Sequence, residues 1–200
     1  ESVEMHERHP SIHDIRQART PDSTFSFCPV QASQTLHKLK HLKSNASSGF
    51  DFIPAKLLKL GAEALSISLT PILNACISTS IYPAAFKRAE VRPIYKKNDP
   101  MNVENYRPVS VLTAVSKVLE GLLCDQIMNF FNDVFSPMIC AYRKKHSCSN
   151  VLLRCTEDWK YSLDNGETVG CILMDLSKAF DAIPHDLLIA KLHAYGFSEN

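Results

Sequence analysis

Apolar residues recur at helical spacing over much of this chain and alternate over only a few short stretches. Between residues 30 and 42, Ala32, Leu36, Leu39 and Leu42 share one stripe while Lys38, Lys40 and Lys43 lie off it, the pattern of a half-buried helix. Pro54 stands where a helix start tolerates proline best, and Leu57, Leu58, Ala62, Leu65 and Leu69 supply the apolar face behind it. Pro71 is expected to break or restart that pattern, with a further buried helix over 72–81 ended by Tyr82 and Pro83. The longest regular pattern covers 112–135, where Val115, Val118, Leu119, Leu122, Leu123, Ile127, Phe130 and Phe131 make a wide core stripe. Another amphipathic helix is expected over 149–163, its Trp159 packed in the core, followed by the turn Asp164-Asn165-Gly166. A last helix follows Pro184 and runs through His193.

Three stretches read as extended. Residues 89–95 form a strand pattern, Lys96-Lys97-Asn98-Asp99-Pro100 an exposed turn, and 105–112 the returning strand. Between residues 169 and 175 the chain is a short apolar run of the kind that makes a buried strand. Helices plus a few short antiparallel strands, without regular βαβ alternation, make the fold class α+β. Residues 1–24 are polar, rich in His, Arg, Ser and Pro, and read as a lead-in or linker. The sequence therefore divides into 1–24, a largely helical 25–165 with a basic hairpin, and a final 166–200 that opens on the apolar run.

Composition narrows the classes without choosing among them. The 200 residues are 45% hydrophobic with a formal net charge of +1, which argues against a uniformly basic nucleic-acid coat and leaves local basic patches as the guide. No apolar run approaches the ~18 residues of a membrane-spanning helix. The seven cysteines are scattered, odd in number and without a Cys-x-x-Cys pair, so they read as free thiols of a reducing compartment. The chain opens on Glu1 and stops at Asn200 just after a helix-like stretch, and it is expected to be cut from something longer.

Candidate chemistry is concentrated in three places. The apolar run ends on Asp175, with Asp181 six residues later. A carboxylate there needs a partner or a cation. The spacing suits Mg²⁺, but by itself it more often marks a carboxylate that only caps a turn or helix. Lys87, Arg88, Arg92, Lys96, Lys97 and Arg107 make 86–112 the most basic stretch. Its two arms are open to two readings, a phosphate clamp or an ordinary solvated hairpin whose lysines discourage edge pairing. Tyr142, Arg143, Lys144, Lys145 and His146 form a second basic loop with an aromatic able to stack on a base. His6, His9 and His13 read as a solvated segment, and His37 and His41 as an exposed helix face, because no cysteine or carboxylate cluster completes a ligand set.

The wording of these stretches carries a resemblance. Met174-Asp175-Leu176-Ser177-Lys178-Ala179-Phe180-Asp181 resembles the first catalytic motif of reverse transcriptases from LINE-type, non-LTR retrotransposons. Ser48-Gly49-Phe50-Asp51-Phe52-Ile53-Pro54 is similar to that family's early segment. Val91-Arg92-Pro93-Ile94-Tyr95-Lys96-Lys97 and Asn105-Tyr106-Arg107-Pro108-Val109-Ser110 resemble its fingers, and Ala141-Tyr142-Arg143-Lys144-Lys145-His146-Ser147 its next block. The four fall in family order over about 48–190.

The resemblance implies a partial right-hand polymerase, fingers plus the start of the palm, copying RNA into DNA from a nicked chromosomal end. Its partners would be an RNA template, a DNA primer and deoxynucleoside triphosphates. Asp175 would be a catalytic aspartate and metal ligand, holding two Mg²⁺ ions in the complete enzyme. Lys96 and Arg107 would grip the incoming triphosphate, and Phe180 would block a ribose 2′-hydroxyl by steric clash. Tyr142, Arg143 and Lys144 would lie along the template, with Asp181 structural. The family's Gly-x-Pro-Gln-Gly segment and its adjacent pair of aspartates do not occur in this chain. The expectation is therefore a polymerase fragment inactive alone, working in cytoplasm and nucleus. The alternative is a catalytically dead relic that binds RNA or protein.

Overall fold

The computed structural model describes residues 24–132, 135–136, 138–176, 180 and 183–198. Among these, 25–130 form one compact unit and 131–198 belong to a second.

The first unit begins with an extended segment, residues 25–31, held against helices by side-chain amides. Asn74 accepts from the Val30 N–H (2.7 Å) and donates to its carbonyl (2.9 Å). Gln126 does the same at Cys28, at 2.8 and 2.9 Å. Helix α1 (Ala32–Lys40) follows, with Gln34 Oε1 accepting from the Gln31 N–H at 2.8 Å and basic residues in its last turn, where the helix dipole favours them.

The expected helix behind Pro54 is two helices, α2 (Ala55–Leu60) and α3 (Ala62–Ser78), separated at Gly61. Pro71 does not break α3, which continues through it. A proline removes one N–H and crowds the carbonyl four residues back. Here Pro71 is exposed, as is Ile67, so that carbonyl can turn to water as solvent-side helix carbonyls do. On the opposite face the buried Thr70 and Thr35 hydroxyls bond each other at 2.8 Å, tying α3 to α1.

A short helix α4 (Ala84–Lys87) leads to strand β1 (Glu90–Tyr95), and β2 (Tyr106–Val111) returns after a 3₁₀ turn at Val103–Asn105. The two strands are antiparallel, with Glu90 opposite Val111 and Tyr95 opposite Tyr106. The expected hairpin is thus present. Helix α5 (Ala114–Phe131) starts at Thr113, whose Oγ1 accepts from the Ser116 N–H at 3.2 Å. The core lies between α1, α2, α3 and α5, on Leu39, Leu58, Ala62, Leu73, Val118, Leu119 and Leu122. Gly49 seats the 48–53 loop beneath α5: a Cβ there would lie 2.8 Å from the Thr113 nitrogen.

In the second unit, Phe131 stacks on Phe197 (5.4 Å) and meets Phe135 and Tyr195 edge-on or tilted, both at 6.2 Å. This cluster anchors α7 (His185–Ala194), which buries Ala190 and Ala194. Helix α6 (Cys148–Asp164) is capped by Ser147, which accepts from the Asn150 N–H. It ends in a left-handed Gly166 (φ 77°) with the Glu167 N–H bonded to the Ser162 carbonyl, the usual glycine stop.

Two expectations fail in this unit. Helix α6 buries no residue, and Trp159 is 42% exposed rather than in a core. The 169–175 run forms no strand and stays exposed from Gly170 on, Leu173 at 93%. A strand is stable when its backbone groups are paired and one face is covered. The only sheet among the described residues is the hairpin β1–β2 of the other unit.

Candidate nucleic-acid interface

Strand pleating sorts the hairpin's residues into two faces. Because Ile94 stands opposite Arg107 and Arg92 opposite Val109, these four share one face. The Lys96 N–H donates to the Asn105 carbonyl at 2.9 Å and carries the ladder one residue further. Lys96 and Arg107 are therefore diagonal neighbours on the face that also bears Arg92. Alternation brings the two predicted cations together.

Other cations of the basic stretch are already engaged. Arg92 pairs with Glu90 at 3.4 Å, and the Arg88 guanidinium lies over the Phe50 ring at 4.6 Å. Among the described residues, the side chains of Lys96, Lys97 and Arg107 make no hydrogen bond or ion pair. They are exposed, and so present charge to solvent and to any anion.

The turn between the strands is built by the residues beside Arg107. Asn105 Nδ2 donates to the Asp99 carbonyl at 2.8 Å and the Tyr106 hydroxyl to the Pro100 carbonyl at 2.9 Å. The Tyr95 hydroxyl reaches the carbonyl of Asn98, whose φ is 68°. Tyr95 and Tyr106, directly opposed, meet edge-to-face at 5.6 Å. In Asn105-Tyr106-Arg107-Pro108, then, Asn105 and Tyr106 fasten the tip and Arg107 faces outward. Sequence reading singled out Arg107 and missed the fastening role. Its only signal was an Asn and a Tyr adjoining a loop rich in backbone carbonyls.

In the second unit the basic loop is organised by Arg143. Its guanidinium donates to the carbonyls of Ser136 (3.3 Å), Ile139 (3.4 Å) and Asn132 (3.4 Å). Arg143 thus holds the loop that follows α5, and its hydrogen-bonding capacity is largely spent there. Tyr142 adopts φ 60° and Lys145 φ 65°, the left-handed region that non-glycine residues seldom enter. Tyr142 is 86% exposed and meets the exposed Phe180 edge-to-face at 6.5 Å. Lys144 is exposed in the same turn.

Asp175 is exposed within the apolar run, and Asp181 lies outside the described residues, as do His6, His9 and His13. No group of three or more His, Cys, Asp or Glu side chains able to hold a metal occurs among the described residues. Asp175 alone offers one carboxylate, a donor set short of a two-ion centre. His37 and His41 are exposed, as the helix reading expected, and their rings stack at 4.0 Å.

Elsewhere in the first unit, the Tyr82 hydroxyl donates to Glu120 at 2.7 Å. Burial first, and then that carboxylate, push its pKa well above the ordinary range of a phenol. No helix among the described residues is long and apolar enough to cross a membrane.

The sequence model of the family described as reverse transcriptase (RNA-dependent DNA polymerase) matches residues 94–200. A protein named "Probable RNA-directed DNA polymerase from transposon BS", from Drosophila melanogaster, is 26% identical over 167 residues, covering 82% of this chain and 18% of its own length. The RNA-directed DNA polymerase from mobile element jockey of Drosophila funebris is 24% identical over 189 residues, covering 91% of this chain and 21% of its own. A third relative, named for transposon X-element of Drosophila melanogaster, is 23% identical over 185 residues, 91% of this chain and 20% of its own. The chain spans about a fifth of the length of these relatives. Their transposon origin bears out the LINE-type resemblance.

Proposed function

Since this chain belongs to the reverse transcriptase (RNA-dependent DNA polymerase) family, we propose that it is the fingers and the first palm motif of a LINE-type, non-LTR retrotransposon enzyme that copies RNA into DNA. Residues 25–165 are the fingers in this reading, and 166–200 open the palm of a right-hand polymerase. The observation that carries it is the pairing of Lys96 and Arg107 on one exposed face of a hairpin whose tip is fastened by Asn105 and Tyr106. Two cations held on a fixed ribbon suit a triphosphate, which offers several anionic oxygens within a short span.

The remaining roles are those that the motif resemblance implies. Phe180 lies against the sugar of the incoming deoxynucleotide and excludes a ribose 2′-hydroxyl. Tyr142 and Lys144 run along the RNA template, and Arg143 holds the loop on which they stand. Asp175 is the carboxylate for Mg²⁺, which in the complete enzyme would activate the primer 3′-hydroxyl. Asp175 is the one carboxylate of this stretch among the described residues, short of the donor set of a two-ion centre, and the chain does not polymerise alone. Cytoplasm and nucleus are the compartments this role calls for.

The test joins binding to extension. Wild-type chain is expected to bind dATP, and changing Lys96 and Arg107 together to Ala to weaken that binding by at least about tenfold, since a charge-assisted hydrogen bond contributes about 1.5–3 kcal/mol. Primer extension on an RNA template with Mg²⁺ is expected from neither wild type nor Asp175→Ala. Extension lost only in Asp175→Ala would overturn the inactivity. Unchanged nucleotide binding in the double variant, with RNA still bound, would favour the relic that binds RNA without catalysis.

A further inference from the structure

Tyr142 and Phe180 are far apart in sequence, and each is exposed, yet their rings meet edge-to-face at 6.5 Å and 90°. An exposed aromatic ring on a loop is ordinarily free to change rotamer on a fast timescale. Phe180 therefore needs a neighbour if its ring is to stay in one place. Among the described residues, the Tyr142 ring meets it.

Tyr142 is itself held. Its backbone occupies the left-handed region at φ 60°, and a residue rests there only when its surroundings over-determine it. Arg143, next in the chain, is bonded to three main-chain carbonyls, those of Asn132, Ser136 and Ile139. On the other side of the turn, Asn150 Nδ2 donates to the Lys145 carbonyl at 3.3 Å, and Ser147 caps α6. The turn is fastened at both ends. The Tyr142 ring is presented outward from it, 86% exposed.

We propose that Tyr142 is a positioning residue for nucleotide selection: its ring buttresses Phe180 edge-on and so fixes the wall that a ribose 2′-hydroxyl would meet. The inference rests on the reading of Phe180 given above and adds a second residue that sets its discrimination. A steric wall rejects a wrong ligand only as far as it cannot swing away. A Phe180 ring without its buttress would yield to the 2′-hydroxyl, leaving triphosphate binding intact and the sugar unread. The edge-to-face contact needs a ring at 142 and not its hydroxyl.

The experiment compares equilibrium binding of dATP and ATP to the full chain, with circular dichroism to verify the fold of each variant. The two ligands share base and triphosphate, so their ratio isolates the 2′-hydroxyl. Wild type is expected to prefer dATP by about tenfold or more, the scale of one steric or polar misfit. Phe180→Ala and Tyr142→Ala are each expected to bring the dATP-to-ATP ratio close to one, and Tyr142→Phe to retain the preference. Loss of preference in Phe180→Ala with full preference in Tyr142→Ala would overturn the buttress while leaving Phe180 in its role. No preference in wild type would overturn the reading of Phe180 and the buttress with it.

Discussion

Residues 25–130 and residues 131–198 have similar patterns of apolar spacing and very different packing. In the first region the stripes meet: Leu39 on α1, Leu73 on α3, and Val118 and Leu119 on α5 are almost wholly buried against one another. In the second, α6 has an apolar stripe of Val151, Leu152, Cys155, Trp159 and Leu163 and buries none of it. Its apolar run at 171–176 stays exposed as well. An amphipathic pattern specifies an element and the face it needs covered. The cover itself comes from elsewhere in the polypeptide, or from another molecule.

The contrast can be broken most directly at the two sets of apolar side chains. Leu73→Ala is expected to cost about 2–5 kcal/mol, the range for opening a cavity in a packed core. Trp159→Ala and Leu152→Ala should each change stability by no more than about 0.5 kcal/mol, as for surface positions. Urea denaturation followed by circular dichroism measures both. Equal costs at Leu73 and Trp159 would mean that α6 is covered in solution.

Glycines sharpen the same contrast. Gly49→Ala sets a methyl 2.8–2.9 Å from the backbone of Leu112 and Thr113, and backbone cannot step aside as a flexible side chain can. The expected loss is about 1–3 kcal/mol. At Gly170 an added Cβ meets nothing within 4 Å, and Gly170→Ala should be neutral within about 0.5 kcal/mol. A costly Gly170→Ala would expose a close approach at the start of the apolar run.

The smallest effect is a pH dependence confined to the packed region. Tyr82 has its pKa raised by burial and by Glu120. In the folded state it therefore keeps its proton to higher pH than in the unfolded state, where it titrates near 10. Its contribution is complete below pH 10 and is lost as pH climbs through the raised folded value. Tyr82→Phe should cost about 1 kcal/mol or less at neutral pH, with the gap to wild type closing above pH 10. A gap that widens in alkali would contradict the Tyr82–Glu120 bond.

How much of this was legible in the sequence follows from the kind of signal each element carries. The hairpin was readable because alternation, an Asn-Asp-Pro turn and flanking β-formers agree locally. The α5 stripe and the α7 start at Pro184 were readable for the same reason. Pro71 misled, because whether a proline breaks a helix depends on which way the carbonyl four residues back faces, and a one-dimensional pattern does not carry that. The strand over 169–175 misled because an apolar run states a need for pairing and not its fulfilment. At the candidate site, Lys96, Arg107, Tyr142 and Phe180 could be named from their motifs. The roles of Asn105, Tyr106 and Arg143 could not, since main-chain carbonyls have no letter in the sequence. Asn74 and Gln126 were missed likewise, two amides among apolar helix residues.

Those two amides have a consequence for which changes the protein can absorb over generations. An amide that both gives and takes a hydrogen bond recognises a peptide unit, whichever amino acid bears it. The exposed Cys28, gripped by Gln126 through its main chain, is therefore open to almost any replacement except proline, which lacks the N–H. Gln126 is not, because even the isosteric Glu offers an acceptor and no donor. Divergence at this contact should be one-sided: drift at position 28, constancy at position 126.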